Sequence, residues 1–244
     1  MQLAIDIGNS RTKVGLFSGI TLVDTLVWKT WGIDEIVALA TNHPIDKVIL
    51  SSVVQDLPPE VAEYLGQNFY FLRLDAFTPL PFTNAYQTPQ TLGRDRIAAV
   101  AGALTLHPEE FCLVVDAGTC ITYDLLTADK VYLGGNIAPG ISMRLRAMHE
   151  FTARLPEVAI DEEEGWIGST TASAMRLGAL LGVVMEIEGH ATRSRALYGA
   201  IKIILTGGDA GWINTKVNEK LDIEPNLVLI GLNKILNYNV ERFK

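Results

Sequence analysis

Five polar residues crowd the stretch LAIDIGNSRTKVGLF, residues 3–17: Asp6, Asn9, Ser10, Thr12 and Lys13. An apolar strand excludes a carboxylate that has no partner, so Asp6 marks the end of LAIDI and the start of a turn. Gly8 permits that turn to be tight, and the backbone N–H groups beyond it can face an anion. Asn9, Ser10, Thr12 and Lys13 add side-chain donors. A carboxylate approaches phosphate only through a cation, and an Asp beside phosphate donors points to Mg²⁺, which takes carboxylate oxygen and water. One such turn, built from Asp, Gly and Asn, is equally an ordinary β-turn.

The pattern occurs twice. FCLVVDAGTCITYDLL, from residue 111, repeats QLAIDIGNSRTKVGLF as an apolar strand, Asp-x-Gly, and a Thr six residues after the Asp. Asp6, Gly8 and Thr12 match Asp116, Gly118 and Thr122, with Thr119 added at the second tip, and the two tips are expected to share one local geometry. A repeat of this kind outranks most local signals. Two such tips facing each other could hold a polyphosphate and its metal.

Three further stretches carry candidate chemistry. GRDR (93–96) ends a Pro- and Thr-rich loop and begins a helix. Asp95 there is stabilised as a carboxylate by the helix dipole and can accept a hydroxyl proton, while Arg94 or Arg96 meets a substrate anion; capping plus an ion pair explains the same four residues without chemistry. LTGGDA (205–210) ends a strand in two glycines, where backbone can approach a nucleotide base and ribose. Neither a Walker loop nor a GxGxxG fingerprint is present, so a nucleotide site must be of another kind. Cys120 has no His in its motif and reads as a small buried residue.

The elements that would position these residues alternate. LAIDI, TKVGLFS and TLVDTLVWK read as a β-meander, WGIDEIVALATNH and PPEVAEYLGQNF as helices, DKVILSSVV and YFLRL as strands. A long loop, TPLPFTNAYQTPQTLGRDR, leads into the helix DRIAAVAGALTL. After the second hairpin and KVYLGGNIAPG come the helix ISMRLRAMHEF, a long small-residue helix over 169–192, the strand–turn–helix IKIILTGGDAGWI and a closing helix GLNKILNYNVERF. This predicts an α/β chain of two related halves, 1–110 and 111–244.

Composition narrows the function. The chain has 244 residues and a net charge of −8 with no basic block, which argues against a nucleic-acid surface. The longest apolar run, 177–185, falls far short of the ~20 residues of a membrane span. The two cysteines, Cys112 and Cys120, form no disulfide framework. No signal segment is evident, and the expectation is a cytoplasmic protein.

Taken in order, DIGNSRTKVGLF, Tyr86 with GRDR, VVDAGTCITYD, GGNIAPG (134–140), IGSTTASAMRLG (167–178) and LTGGDA resemble the type III pantothenate kinases. These belong to the acetate and sugar kinase, heat-shock and actin superfamily, and the resemblance covers nearly the whole chain. It implies two actin-like (ribonuclease H-like) halves, each a mixed sheet with flanking helices, around a nucleotide cleft. It also implies ATP-dependent phosphorylation of pantothenate to 4′-phosphopantothenate, the first step towards coenzyme A. By the same resemblance Asp6, Ile7, Gly8, Asn9, Ser10, Arg11, Thr12 and Lys13 form the first phosphate loop, with Asp6 the Mg²⁺ partner. Asp95 matches the catalytic base, and Tyr86, Gly93, Arg94, Arg96 and Thr171 match substrate contacts. Asp116 matches the position of a monovalent cation, K⁺ or NH₄⁺, and Thr119 an ATP contact. Family members are homodimers. Here Ser10 replaces the family's usual Thr, and GSTT stands where Gly-Lys-Asn-Thr is more frequent, leaving Thr170 and Thr171 as candidates, with the following AM…G favouring Thr171. The rival readings are a kinase of another small alcohol, a non-catalytic nucleotide-binding regulator of the Bvg accessory factor type, and an actin-like filament subunit.

Overall fold

The computed structural model describes residues 1–8, 11–52, 57–161 and 165–242. Its chain forms two mixed sheets with flanking helices. It divides into two compact units, one of residues 1–109, 126–134 and 226 onward, the other of residues 110–125 and 135–225.

In the first unit β1 (Gln2–Ile7), β2 (Thr12–Ser18), β3 (Thr21–Trp28), β4 (Lys47–Ser52) and β5 (Tyr70–Arg73) form a sheet in the order β3-β2-β1-β4-β5. The meander β1-β2-β3 is antiparallel, while β4 runs parallel to β1 and β5 parallel to β4. Period-2 alternation puts Leu3, Ile5, Val14, Leu16, Val48 and Leu50 on one face. There they meet Ile36 of α1 (Ile33–Asn42) and Val61 and Leu65 of α2 (Pro59–Asn68). Each such side chain contributes roughly 1.5–3 kcal/mol on burial.

The other face is covered by α3 (Arg94–Leu106) and α7 (Leu227–Arg242), which pack on each other, α7 also on β1, β2 and β4, and α3 on β4. Helix α3 is buried from Arg96 to Leu104, and its glycine Gly102 lies against Leu227, which accounts for how close the two helices come. Helix α7 begins four residues before the stretch assigned to it by periodicity. The loop before α3 is not wholly irregular. It contains a short strand, β6 (Thr83–Asn84), and a single 3₁₀ turn, Pro89–Thr91. Strand β6 pairs in parallel with the start of β9 (Val131–Pro139).

The second sheet has the order β11-β10-β7-β8-β9-β6. Its centre is the second hairpin, β7 (Cys112–Ala117) and β8 (Cys120–Leu126), with β10 (Lys202–Thr206) parallel to β7 and β11 (Asp222–Ile223) parallel to β10. In the second unit Leu113, Val115, Ala117, Ile121 and Tyr123 share a core with α4 (Ile141–Glu150), α5 (Thr171–Tyr198) and Ile213 of α6 (Ala210–Asn214). Helix α5 starts with a capping box: the Thr170 hydroxyl accepts from the Ser173 N–H, and the Ser173 hydroxyl accepts from the Thr170 N–H. It continues to Tyr198, beyond the expected end at 192, with Ser194 still buried, and ends at Gly199. Among the described residues, no helix is long and apolar enough to cross a membrane.

Candidate active site

At the first tip the Gly8 N–H donates to the Arg11 carbonyl at 3.1 Å, just beyond the paired ends of β1 and β2. Two of the expected loop residues, Asn9 and Ser10, lie outside the described residues. Of the others, Asp6, Ile7 and Gly8 are half-buried and Arg11 is exposed. Asp6 stands opposite Lys13 across the hairpin, and Ile7 opposite Thr12. Thr12 is therefore on the apolar side of the sheet and buried, while Asp6 and Lys13 share the face covered by α3 and α7.

The second tip closes one residue sooner, the Gly118 N–H donating to the Cys120 carbonyl at 3.0 Å. In a strand one residue of offset turns every side chain over. Ile121 and Tyr123 fall on the core side with Val115 and Ala117, so Thr122 shares the opposite side with Asp116. The expected equivalence of Thr12 and Thr122 is thus corrected: the spatial counterpart of Thr122 is Lys13. Thr122 Oγ1 is buried and has no hydrogen-bond partner. Asp116 and Gly118 are half-buried, and Thr119 and Cys120 are exposed, so Cys120 is not the buried residue its type suggested. Cys112 is the buried one, and burial pushes its thiol up to about 12.

Two glycine stretches that sequence left separate converge on this second tip. Gly207, at φ +98°, lies with its α-carbon against the Ala117 backbone, where any side chain would collide. The Asp209 N–H donates to the Ala117 carbonyl at 3.1 Å. Gly140 likewise abuts the Gly118 and Thr119 carbonyls, and its N–H donates to Thr119 O at 3.1 Å. GGNIAPG and LTGGDA therefore brace the same turn from two sides. Burial raises the Asp209 carboxyl above its ordinary range.

The remaining candidates assemble in the first unit. Pairing of β6 with β9 places the Tyr86 ring parallel to the buried Tyr132 ring, 12° apart in plane with centroids at 6.2 Å. Tyr86 lies over Gly134, and its N–H donates to Asn84 Oδ1 at 3.0 Å. The Arg96 guanidinium carbon sits 5.7 Å from the Tyr86 ring centroid, a cation–π arrangement. Gly93 precedes the first turn of α3, and Asp95 within that turn accepts from the Arg96 N–H at 2.8 Å. Arg94 donates through Nη1 to the Leu92 carbonyl at 2.7 Å and the Pro89 carbonyl at 3.4 Å, and through Nη2 to Gln90 at 3.3 Å. It braces the loop that carries Tyr86. In the second unit Thr170 is spent on the helix cap, and Thr171 follows it, exposed, as the first helical residue.

A family model described as type III pantothenate kinase matches residues 2–193. The chain belongs to the type III pantothenate kinase family. A type III pantothenate kinase from Phocaeicola vulgatus is 40% identical to it, over 98% of this chain and 99% of its own. Among solved structures, a Campylobacter jejuni protein described as a Baf family transcriptional activator aligns at 25% identity with a TM-score of 0.61, covering 98% of this chain and 99% of its own. The ROK hexokinase from Thermus thermophilus aligns at 14% identity and a TM-score of 0.52, over 98% and 99% of the two chains. That likeness concerns the fold alone, the two mixed sheets with flanking helices of this pantothenate kinase family member.

Proposed function

We propose that this chain transfers the γ-phosphoryl group of ATP to pantothenate, giving 4′-phosphopantothenate in the first step of coenzyme A biosynthesis. The observation that carries the reading is the cluster of Tyr86, Gly93, Arg94, Asp95 and Arg96 at the start of α3, in a chain of this family. Asp95 acts as the base. It stands in the first turn of α3, and a weak base suffices where the transition state is loose and the hydroxyl proton leaves late. Tyr86 packs against the substrate, Arg94 and Arg96 supply the positive charge its carboxylate requires, and Thr171 adds a hydroxyl.

At the first tip Asp6, Ile7, Gly8, Asn9, Ser10, Arg11, Thr12 and Lys13 form the phosphate loop. Kinases of this family use ATP with a divalent metal; here Asp6 would hold it, as Mg²⁺, and the ion would neutralise charge on the phosphate oxygens. At the second tip Thr119 contacts ATP. The donor set around Asp116 is all oxygen: the Thr122 hydroxyl on its own face, orphaned in the protein, and Thr206 opposite it in the sheet. Such a set suits a hard monovalent cation, K⁺ or NH₄⁺. The active form is a homodimer, a reading supported by the exposed Met185, Leu197 and Tyr198 of α5; sedimentation tests it. The protein works in the cytoplasm.

The test is product mass after incubation with ATP, Mg²⁺ and pantothenate, in K⁺ or in Na⁺. Phosphopantothenate formed only with K⁺ supports the reaction and the Asp116 cation together. Product in both salts keeps the kinase and removes the cation. The likeness to the Campylobacter jejuni protein favours one other reading, a nucleotide-binding regulator of the Bvg accessory factor type. ATP binding without any product, from folded protein offered pantothenate and other small alcohols, would decide for it.

A further inference from the structure

We propose that Ser51 is a positioning residue for Asp6, its hydroxyl donating to the Asp6 carboxylate when the nucleotide and its metal are bound. The proposal rests on the reading of Asp6 as the Mg²⁺-side carboxylate given above. Ser51 is 0% exposed, and its Oγ has no hydrogen-bond partner. A buried hydroxyl left unsatisfied weakens a fold that an Ala of nearly the same size would serve better, so such a group calls for a use.

Its place in the sheet supplies one. Strand β4 runs parallel to β1 with Ser51 directly opposite Asp6. Side chains paired in this way leave the sheet on the same face, with strands about 4.8 Å apart, so rotation about one side-chain bond carries the hydroxyl towards the carboxylate. Asp6 is thereby flanked by Lys13 on β2 and by Ser51 on β4. The second unit repeats the arrangement: Thr206, 2% exposed on β10, stands opposite Asp116 in a parallel pair. Both tip aspartates thus have a buried hydroxyl residue beside them on the neighbouring parallel strand. An uncharged donor suits this task. It fixes one carboxylate oxygen without neutralising the charge that the cation needs, as the outer partners of metal ligands commonly do.

The measurement is calorimetric binding of ADP with and without Mg²⁺. In the parent, Mg²⁺ should tighten ADP binding. In Ser51→Ala that tightening should fall about tenfold, with metal-free ADP affinity and melting temperature unchanged or the latter slightly raised. Ser51→Cys, which keeps the volume and a weak donor, should fall between the two and covers the case of an unstable Ala variant. In an Asp6→Asn background Ser51→Ala should have no further effect, because the hydroxyl acts through the carboxylate. Parental Mg²⁺ tightening in Ser51→Ala overturns the proposal alone, as does an undiminished effect in the Asp6→Asn background. A parent that binds ADP equally with and without Mg²⁺ overturns the reading of Asp6, and this proposal with it.

Discussion

The two hairpin tips start from one pattern and end with different equipment. At the first, the Gly8–Arg11 closure sets Lys13 opposite Asp6, and α3 brings Asp95 and Arg96 to the same unit. At the second, a shorter turn gives Asp116 hydroxyl-bearing neighbours, Thr122 and Thr206, and two glycine backbones close in behind it. The difference teaches a division of labour. Under the proposed function the first unit, with Lys13, Asp95 and Arg96, does the chemistry, and the second, with Thr122 and Thr206 beside Asp116, holds the cation.

The strongest way to break that division is Asp95→Asn. If the first unit does the chemistry, this variant folds and binds ATP as the parent does but loses phosphorylation by ~10²–10⁴-fold, the range of a general base. Full activity would take Asp95 out of its role. Single-turnover kinetics alongside ATP binding makes the separation.

Next in size is a pair of glycine substitutions. Gly207→Ala forces a side chain into the Ala117 backbone at φ +98°, and should cost about 1–3 kcal/mol, a fall of roughly 2–4 °C in melting temperature for each kcal/mol. A β-carbon at Gly8 would stand 3.3 Å from the Arg11 carbonyl, a contact that a small shift relieves. Gly8→Ala should therefore melt near the parent. Equal losses in the two variants would erase this contrast between Gly207 and Gly8.

Much of this was legible in the residues and some was not. The repeated Asp-x-Gly hairpins and the strand and helix sequence follow from apolar periodicity and turn chemistry, which are local. The one-residue difference between the tips is not local: aligning Asp with Asp and Thr with Thr hides it, and the closing hydrogen bonds together with the core partners of Ile121 and Tyr123 reveal which face Thr122 takes. Strand β6 has two residues and no periodicity to detect. Ser51 and Thr206 sit at the ends of plain apolar strands, and their meaning depends on which strand lies alongside.

A smaller effect sharpens the second tip alone. Thr122→Val removes the orphaned hydroxyl while keeping the shape of the side chain. Stability should hold or rise slightly, because no hydrogen bond is lost. Half-maximal activation by K⁺ should need on the order of tenfold more salt, and the KM for pantothenate should not move. Unchanged K⁺ activation would leave Thr122 as a mere structural residue.

The last difference is protonic, and it is the smallest. Behind the second tip the His190 ring stacks on Tyr123, 18° from parallel with centroids 4.0 Å apart. The Tyr123 hydroxyl donates to Glu186 Oε2 at 3.2 Å, and Arg144 holds the same oxygen at 2.6 Å while donating through Nε to the Pro139 carbonyl at 2.8 Å. Burial lowers the His190 pKa, with Glu186 opposing the shift. The folded protein therefore binds fewer protons than the unfolded chain in the window between the two pKa values. Stability from this group is complete above the unfolded value, about 6.5, and is lost as pH falls through the folded one. Melting temperature should decline over that acid window, and His190→Phe, which keeps the stack but cannot titrate, should flatten part of the slope. A parental slope in His190→Phe would show that the acid sensitivity arises elsewhere and would remove protonation from what distinguishes the second tip.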